Sequence, residues 1–163
     1  MARVHVETWK TTYRGMVSDE RLDALTVESD IAGGFGSWLK DPPVGVAQFV
    51  AVTTANEVVG FALGCPPREE MTDFTGELGA IYVLKSHQGR GVGTALVGDV
   101  TRHLLSLGRT SMIVWVLEQN PYRRFYERLG GTLVSRRVRE SRLAGGQPEV
   151  SYGWKDIRRL AEL

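Results

Sequence analysis

Sulfur, histidine and net charge are all scarce in this sequence. Cys65 is its only cysteine, so no disulfide forms within the chain, and a chain built without one suits a reducing compartment; the expected location is cytoplasmic. No signal-like apolar segment opens the chain, and no run approaches the roughly 18 apolar residues of a membrane span, so no membrane partner is expected. His5, His87 and His103 stand far apart, without the close His/Cys spacing of a zinc site, and no metal centre is expected. Acidic and basic residues nearly cancel to a net charge of +1, which supplies no field to draw in nucleic acid; charge-based recognition must be local. Repeats, low-complexity tracts and linkers long enough to divide domains are missing too. A chain of 163 residues then suits a single domain over 1–163, burying roughly 70% of the surface its unfolded form would expose.

What is present centres on residues 77 to 97, ELGAIYVLKSHQGRGVGTALV. An apolar run of strand length breaks into a glycine-rich turn, and the turn runs straight into a helical pattern. Gly89, Gly91 and Gly93 lack Cβ atoms, so the backbone there is free to take φ > 0 and leave several N–H groups facing outward. The helix macrodipole favours negative charge at the same point by about 0.3 to 1 kcal/mol, and Arg90 adds a mobile cation, so the layout suits a phosphate. A P-loop requires Gly-Lys-Ser/Thr, whereas Thr94 and Ala95 follow Gly93. The dinucleotide fingerprint fails as well, because its third glycine falls on Thr94 or Leu96. A tight strand-to-helix turn without a ligand is the plain alternative.

Along the chain, Val6, Trp9 and Tyr13 share one face of a helix over 2–13. Ser18 and Asp19 start a short helix to about residue 25, and Ile31, Phe35, Trp38 and Leu39 predict another over 31–40, weakened by Gly33 and Gly34. Residues 46–53 and 58–63 read as a hairpin turned by Ala55-Asn56-Glu57, and 68–76 as a polar loop. The central strand, 77–84, follows, then a helix whose apolar side is Val92, Leu96, Val97, Val100, Leu104 and Leu107, closed by Gly108. Residues 111–117 have the composition of a buried strand; Asn120 and Pro121 start a helix to Leu129, stopped by Gly130-Gly131. Strands over 133–138 and 150–154 and a short helix in 155–163 complete the pattern.

Gln88-x-x-Gly91-x-Gly93 after a strand resembles the acetyl-CoA loop of the GNAT superfamily of N-acetyltransferases. Residues 120 to 131, NPYRRFYERLGG, resemble that family's second hallmark, an Asn-led helix carrying Phe-Tyr-Glu-x-Leu-Gly. The two motifs stand in the family's order, and the resemblance extends from VHVETWKTTYRG near the start to the closing VSYGWKDI. Two departures are visible. The family's usual leading strand has no counterpart, so either the sheet lacks that edge strand or the true start lies earlier, and Tyr122 replaces a small residue near the path of the pantetheine arm. The resemblance implies an α/β fold of α+β type: a mixed, mostly antiparallel sheet of about six strands flanked by helices, splayed between 77–84 and 111–117. It also implies acetyl-CoA (coenzyme A) as cosubstrate, no metal, and direct acetyl transfer in a ternary complex to a primary amine of a small molecule or peptide. By the same resemblance the diphosphate falls to Gln88, Gly89, Arg90, Gly91, Val92, Gly93 and Thr94, an oxyanion-binding N–H to Ile81, Tyr82 or Val83, and further cofactor contacts to Asn120 and Tyr126.

That reaction makes demands on other residues. A lysine-like amine is only about 0.04% neutral at pH 7, so a base is needed. Glu77, at the start of the central strand, is the first candidate, since alternation puts it on the side of Gly79, Ile81 and Val83. Glu118 is the second, and a water chain is the third. Tyr126 matches the family's acid, which protonates the departing thiolate; His87 shapes the turn. Arg136, Arg137, Arg139 and Arg142 read as an exposed edge, and Trp9, Tyr13, Trp38 and Trp115 as core residues or pocket lining. The rival functional class is a non-catalytic acyl-CoA-binding regulatory module; a nucleic-acid binder using the arginines conflicts with the balanced charge. An edge left bare by the missing strand favours a homodimer or a covering element.

Overall fold

The structure, a computed structural model, describes residues 1–35, 41–69, 73–138 and 145–163. The expected helical residues Trp38 and Leu39, part of the polar loop after Arg68, and Arg139 and Arg142 lie outside the described residues.

Helix α1, Ala2–Thr12, buries Val4, Val6 and Trp9, the inward spacing its sequence predicts. Helix α2, Asp19–Asp23, is capped by the Ser18 hydroxyl, which accepts from the Arg21 N–H. The next helix departs from expectation. It starts at Thr26, not Ile31: Thr26 and Ser29 cap each other's backbone at 3.1 and 2.9 Å, setting α3 at Val27–Asp30. Ile31–Phe35 then continues as a wider π turn through Gly33 and Gly34.

Six strands form one sheet: β1 Ala47–Val52, β2 Val58–Cys65, β3 Gly76–Val83, β4 Met112–Leu117, β5 Thr132–Val138 and β6 Pro148–Trp154. Their order is β1-β2-β3-β4-β6-β5, and every neighbouring pair is antiparallel except β3 with β4. The β1–β2 hairpin turns through Asn56 at φ +62°, a left-handed position that asparagine tolerates well. The expected mixed, mostly antiparallel sheet is the one observed. Helix α4, Val92–Ser106, crosses one face and buries Leu96, Val97, Val100 and Leu104 against Ala62, Leu78, Met112 and Val114. Full burial of each such large side chain contributes about 1.5 to 3 kcal/mol. The helix comes this close because β2 has Gly64 beneath it, where a Cβ would sit 3.0 Å from Val100 Cγ1. On the opposite face α1 packs over Phe61, Val59, Ala80 and Tyr82.

Two irregularities of β3 make the site. Leu63 pairs with Ala80 but Gly64 pairs with Leu78, so Gly79 has no partner on β2. The extra residue is a β-bulge, and it reverses the alternation on either side of it. A Cβ at Gly79 would stand 2.9 Å from Cys65 Sγ, which is why the bulge carries glycine. Pairing with β4 ends early as well: only Gly76 with Met112 and Glu77 with Ile113 are in register. Beyond them the two parallel strands diverge.

Candidate active site

The divergence opens a cleft of about 610 Å³. Its walls are residues 78 to 83 of β3, residues 114 to 116 of β4, Asn120, Tyr122, Tyr126 and, across the opening, Thr8, Thr12 and Tyr13 of α1 and its C-terminal end. Backbone groups of β3 face this space. Leu84 N–H bonds to Val59 O on β2 at 2.9 Å; antiparallel alternation from that rung sends the Tyr82 N–H to β2 and those of Ile81 and Val83 to the gap. Gln88 Nε2 donates to Val83 O at 2.9 Å and so fixes the turn to the end of the strand.

The turn itself is unpaired. Gly89 and Gly91 hold φ of +71° and +82°, and no N–H from residue 89 to residue 94 donates to any described residue; the first paired amide is Ala95, to Gly91 O at 3.0 Å. A Cβ on Gly89 or Gly91 would meet nothing within 4 Å, whereas one on Gly93 would touch the Phe125 ring at 3.4 Å. Six consecutive donors at the N-terminus of a 15-residue helix are therefore left without a partner beside the mouth of the cleft, the arrangement that holds a phosphate. Gln88, Gly89, Gly91, Gly93 and Thr94 line the cleft. Arg90 is exposed outside it, and Val92 packs toward the core instead. His87 bonds to the neighbouring Ser86 hydroxyl at 2.9 Å.

The second sequence motif forms the opposite wall. Asn120 Oδ1 accepts from the Tyr122 N–H at 2.8 Å, capping a 3-10 turn over Pro121–Arg123 that leads into α5, Arg124–Arg128. Its Nδ2 donates to the Tyr13 hydroxyl at 3.0 Å. Tyr126 is 8% exposed, with its ring in contact with Phe125, Tyr152 and Trp154. Burial, and secondarily the neighbouring Tyr82, push its phenol well above the ordinary value, so it is protonated at any physiological pH. Tyr122 is 43% exposed and leaves the gap open.

A family model described as FR47-like protein matches residues 69–140. The whole chain is 37% identical, over 164 aligned residues and 90% of the relative's length, to an uncharacterized N-acetyltransferase, YuaI, of Bacillus subtilis (strain 168). The chain belongs to the GNAT family of acetyltransferases. Solved GNAT structures share its fold. A GCN5-related N-acetyltransferase from Rhodopseudomonas palustris superposes with a TM-score of 0.68 at 18% identity, over 93% of this chain and 85% of that one. The protein yncA of Salmonella typhimurium, solved with its cofactor acetyl-CoA, superposes with a TM-score of 0.62 at 18% identity, over 94% of this chain and 86% of that one.

The carboxylates of this GNAT chain are placed differently from the sequence expectation. Because of the bulge, Glu77 lies on the face of Ala80 and Tyr82, opposite Leu78, Ile81 and Val83, and it does not line the cleft. It is 1% exposed and held three times by Arg68: by the backbone N–H at 2.8 Å, by Nε at 2.7 Å and by Nη2. Glu118 is gripped by Arg136 through Nε at 3.0 Å and Nη2 at 2.9 Å, a guanidinium that lowers its pKa. Arg136 lies on the exposed edge as expected, but Arg137 is only 17% exposed: it stacks over Trp115 at 3.6 Å and pairs with Glu149 and Glu69. Trp9 is a core residue whose Nε1 donates to the Tyr82 hydroxyl at 3.1 Å, while Tyr13 and Trp115 line the cleft. Sequence reasoning missed Thr8 and Thr12, although their i, i+4 spacing places them on one face of α1. Among the described residues no cluster of His, Cys, Asp and Glu is arranged to hold a metal, and no helix is long and apolar enough to cross a membrane.

Proposed function

We propose that this chain, working as one domain in the cytoplasm, moves the acetyl group of acetyl-CoA to a primary amine of a small molecule by direct attack in a ternary complex. The observation that carries the reading is the row of unpaired amides from residue 89 to residue 94 at the open end of a split sheet. Acetyl-CoA supplies the acetyl group already activated as a thioester. The amides of the turn hold its diphosphate, with Arg90 approaching from outside, and the N–H groups of Ile81 or Val83 stand where a developing oxyanion needs a donor. Asn120 borders the arm of the cosubstrate while tying the two walls together. Tyr126, protonated and lining the cleft, donates its proton to the sulfur as the C–S bond breaks, and its phenolate regains a proton from the water that took the amine's.

No carboxylate or imidazole lines the cleft among the described residues, and Glu77 and Glu118 are both engaged by arginines. We therefore assign removal of the amine proton to water in the cleft. Calorimetry with acetyl-CoA, followed by release of free CoA over an amine panel, tests the proposal. Saturable heat and amine-dependent CoA release support it, tight binding with no turnover indicates a regulatory module, and no heat with any form of coenzyme A overturns it.

A further inference from the structure

The cleft passes through the sheet and is lined differently on its two faces. Toward α4 its wall is Ile81, Val83, Val114 and Val116, which pack into the core beneath that helix, together with the turn. Toward α1 its wall includes Thr12, Tyr13, Tyr82 and Trp115. Trp115 stands on this second face because Leu117, two residues further along β4, packs with Val6, Trp9 and Tyr13. Every other residue of β4 is buried; the tryptophan alone is left partly open. The largest side chain of a central strand thus borders a cavity instead of filling the core, and its ring is held in place there. The Arg137 guanidinium lies 3.6 Å from the ring centroid, fixed in turn by Glu149 at 2.9 Å and by Glu69. Arg137 is not itself part of the wall of the cleft, so it backs the indole and leaves the rest of the ring to the cavity.

We propose that Trp115 is the platform on which the acceptor stacks a ring of its own, making the acceptor an aralkylamine: a primary amine joined by a short carbon chain to a flat aromatic group. The inference deepens the acetyltransferase reading above and rests on it. The cosubstrate lies along the α4 face, where the turn enters that helix, so the amine meets the thioester through the split and the rest of the acceptor stays on the α1 face. Tyr13, Tyr82 and Trp115 surround it there. A ring suits this place better than a second charge. The indole already carries one guanidinium, and a further cation, such as the second ammonium of a polyamine, has to share the same ring quadrupole with it. An aromatic ring in offset contact instead adds stacking to the burial of its apolar area.

The test reads kcat/KM from CoA release for phenethylamine and tryptamine against cyclohexylethylamine and spermidine. Cyclohexylethylamine has the bulk and apolar surface of phenethylamine without its π system, so it separates stacking from burial. The better aralkylamine is expected to exceed it by about 3- to 10-fold, and to exceed spermidine by about a hundredfold. Trp115→Leu is expected to raise KM for phenethylamine about tenfold, at least about three times more than KM for cyclohexylethylamine, with the acetyl-CoA Kd unchanged. Trp115→Phe keeps a ring and is expected to keep the preference. Equal turnover of phenethylamine and cyclohexylethylamine overturns the proposal, as does a preference for spermidine. So does a Trp115→Leu variant in which both KM values and the acetyl-CoA Kd move together, the mark of a merely structural ring. Binding of acetyl-CoA with no turnover of either aralkylamine overturns this inference alone; failure to bind acetyl-CoA removes the acetyltransferase reading and this one with it.

Discussion

Replacing Gly91 by alanine separates two roles of the turn, its own stability and its grip on a ligand. Gly91 holds φ of +82°, and a Cβ there meets no atom within 4 Å, so in the free protein the substitution adds no clash. It adds only the cost of a left-handed conformation for a residue with a Cβ, about 1 to 2 kcal/mol. In a chain of this length each kcal/mol moves Tm by about 2 to 4 °C, so the melting point is expected to fall by about 2 to 8 °C. Relaxation of the strained φ rotates the flanking peptide planes, and with them the unpaired N–H groups. A hydrogen bond to a charged group contributes about 1.5 to 3 kcal/mol, so misdirecting one weakens CoA binding about 10- to 150-fold. Gly108 is the matched control: its φ is +72°, a Cβ there is equally unhindered, and it lies just past the far end of α4. Gly108→Ala is expected to lower Tm by a similar amount and leave CoA binding untouched. Calorimetry with CoA and with pantetheine, which lacks the diphosphate, completes the comparison, since only the first should respond at Gly91. If Gly91→Ala melts lower yet binds CoA with the wild-type Kd, the amides of the turn are not the grip.

Other perturbations test other parts of the site. Tyr126→Phe is expected to lower kcat by about 10² to 10⁴ with little change in the acetyl-CoA Kd, and a loss below about fivefold would end its role as acid. Because burial raises the Tyr126 phenol, the wild-type pH profile should rise as the amine deprotonates and show no alkaline limb below pH ~10 from this group. Glu77→Gln is expected to keep the rate per folded molecule within about threefold while lowering stability to urea by about 1 to 3 kcal/mol, since a buried acceptor of three bonds from Arg68 loses its charge; a hundredfold loss of rate would instead make it the base. Cys65 is buried and its thiol is pushed up to about 11 from 9.0, by desolvation first and then by Glu77. The folded state therefore keeps a proton that the unfolded state releases, so this group's stabilisation is complete below pH 9 and is lost as the pH rises from 9 to about 11. Alkylation by iodoacetamide at pH 8 should be slow in the native protein and become fast in urea, and rapid native alkylation would contradict the placement.

Much of this architecture is legible because each element leaves a period. The run of Leu96, Val97, Val100 and Leu104 marks the face of α4 that the core buries, and the β-branched stretches fall close to the observed strands. Gly89 and Gly91 of the turn take the positive φ their sequence suggests, whereas Gly93 lies within α4; the Asn120-Pro121 start, local backbone chemistry too, also reads correctly. What does not show is whatever depends on one residue out of step or on distant partners. Alternation along ELGAIYV assumes a regular pleat, and the unpaired Gly79 turns that assumption upside down for Glu77. The cap at Thr26 escapes notice because Ser29 does the work usually given to glutamate at that spacing. The bond from Asn120 to Tyr13 joins positions 107 residues apart, and no local pattern announces it.

The bulge and the fate of Glu77 belong together. A sheet that opens in its middle must stop pairing at a definite rung, and the backbone groups beyond that rung lose their partners. Here the last rung is Glu77 with Ile113. Past it, Val83 O is satisfied by the Gln88 side chain, and the cleft-facing amides are left for a ligand. The rung itself is anchored from the other side, where the bulge has turned the Glu77 carboxylate away from the gap and onto the backbone N–H and guanidinium of Arg68. A carboxylate committed to tying β3 to the loop that follows β2, and turned away from the gap, is badly placed to take a proton from an amine, and this is the physical reason for giving that step to water.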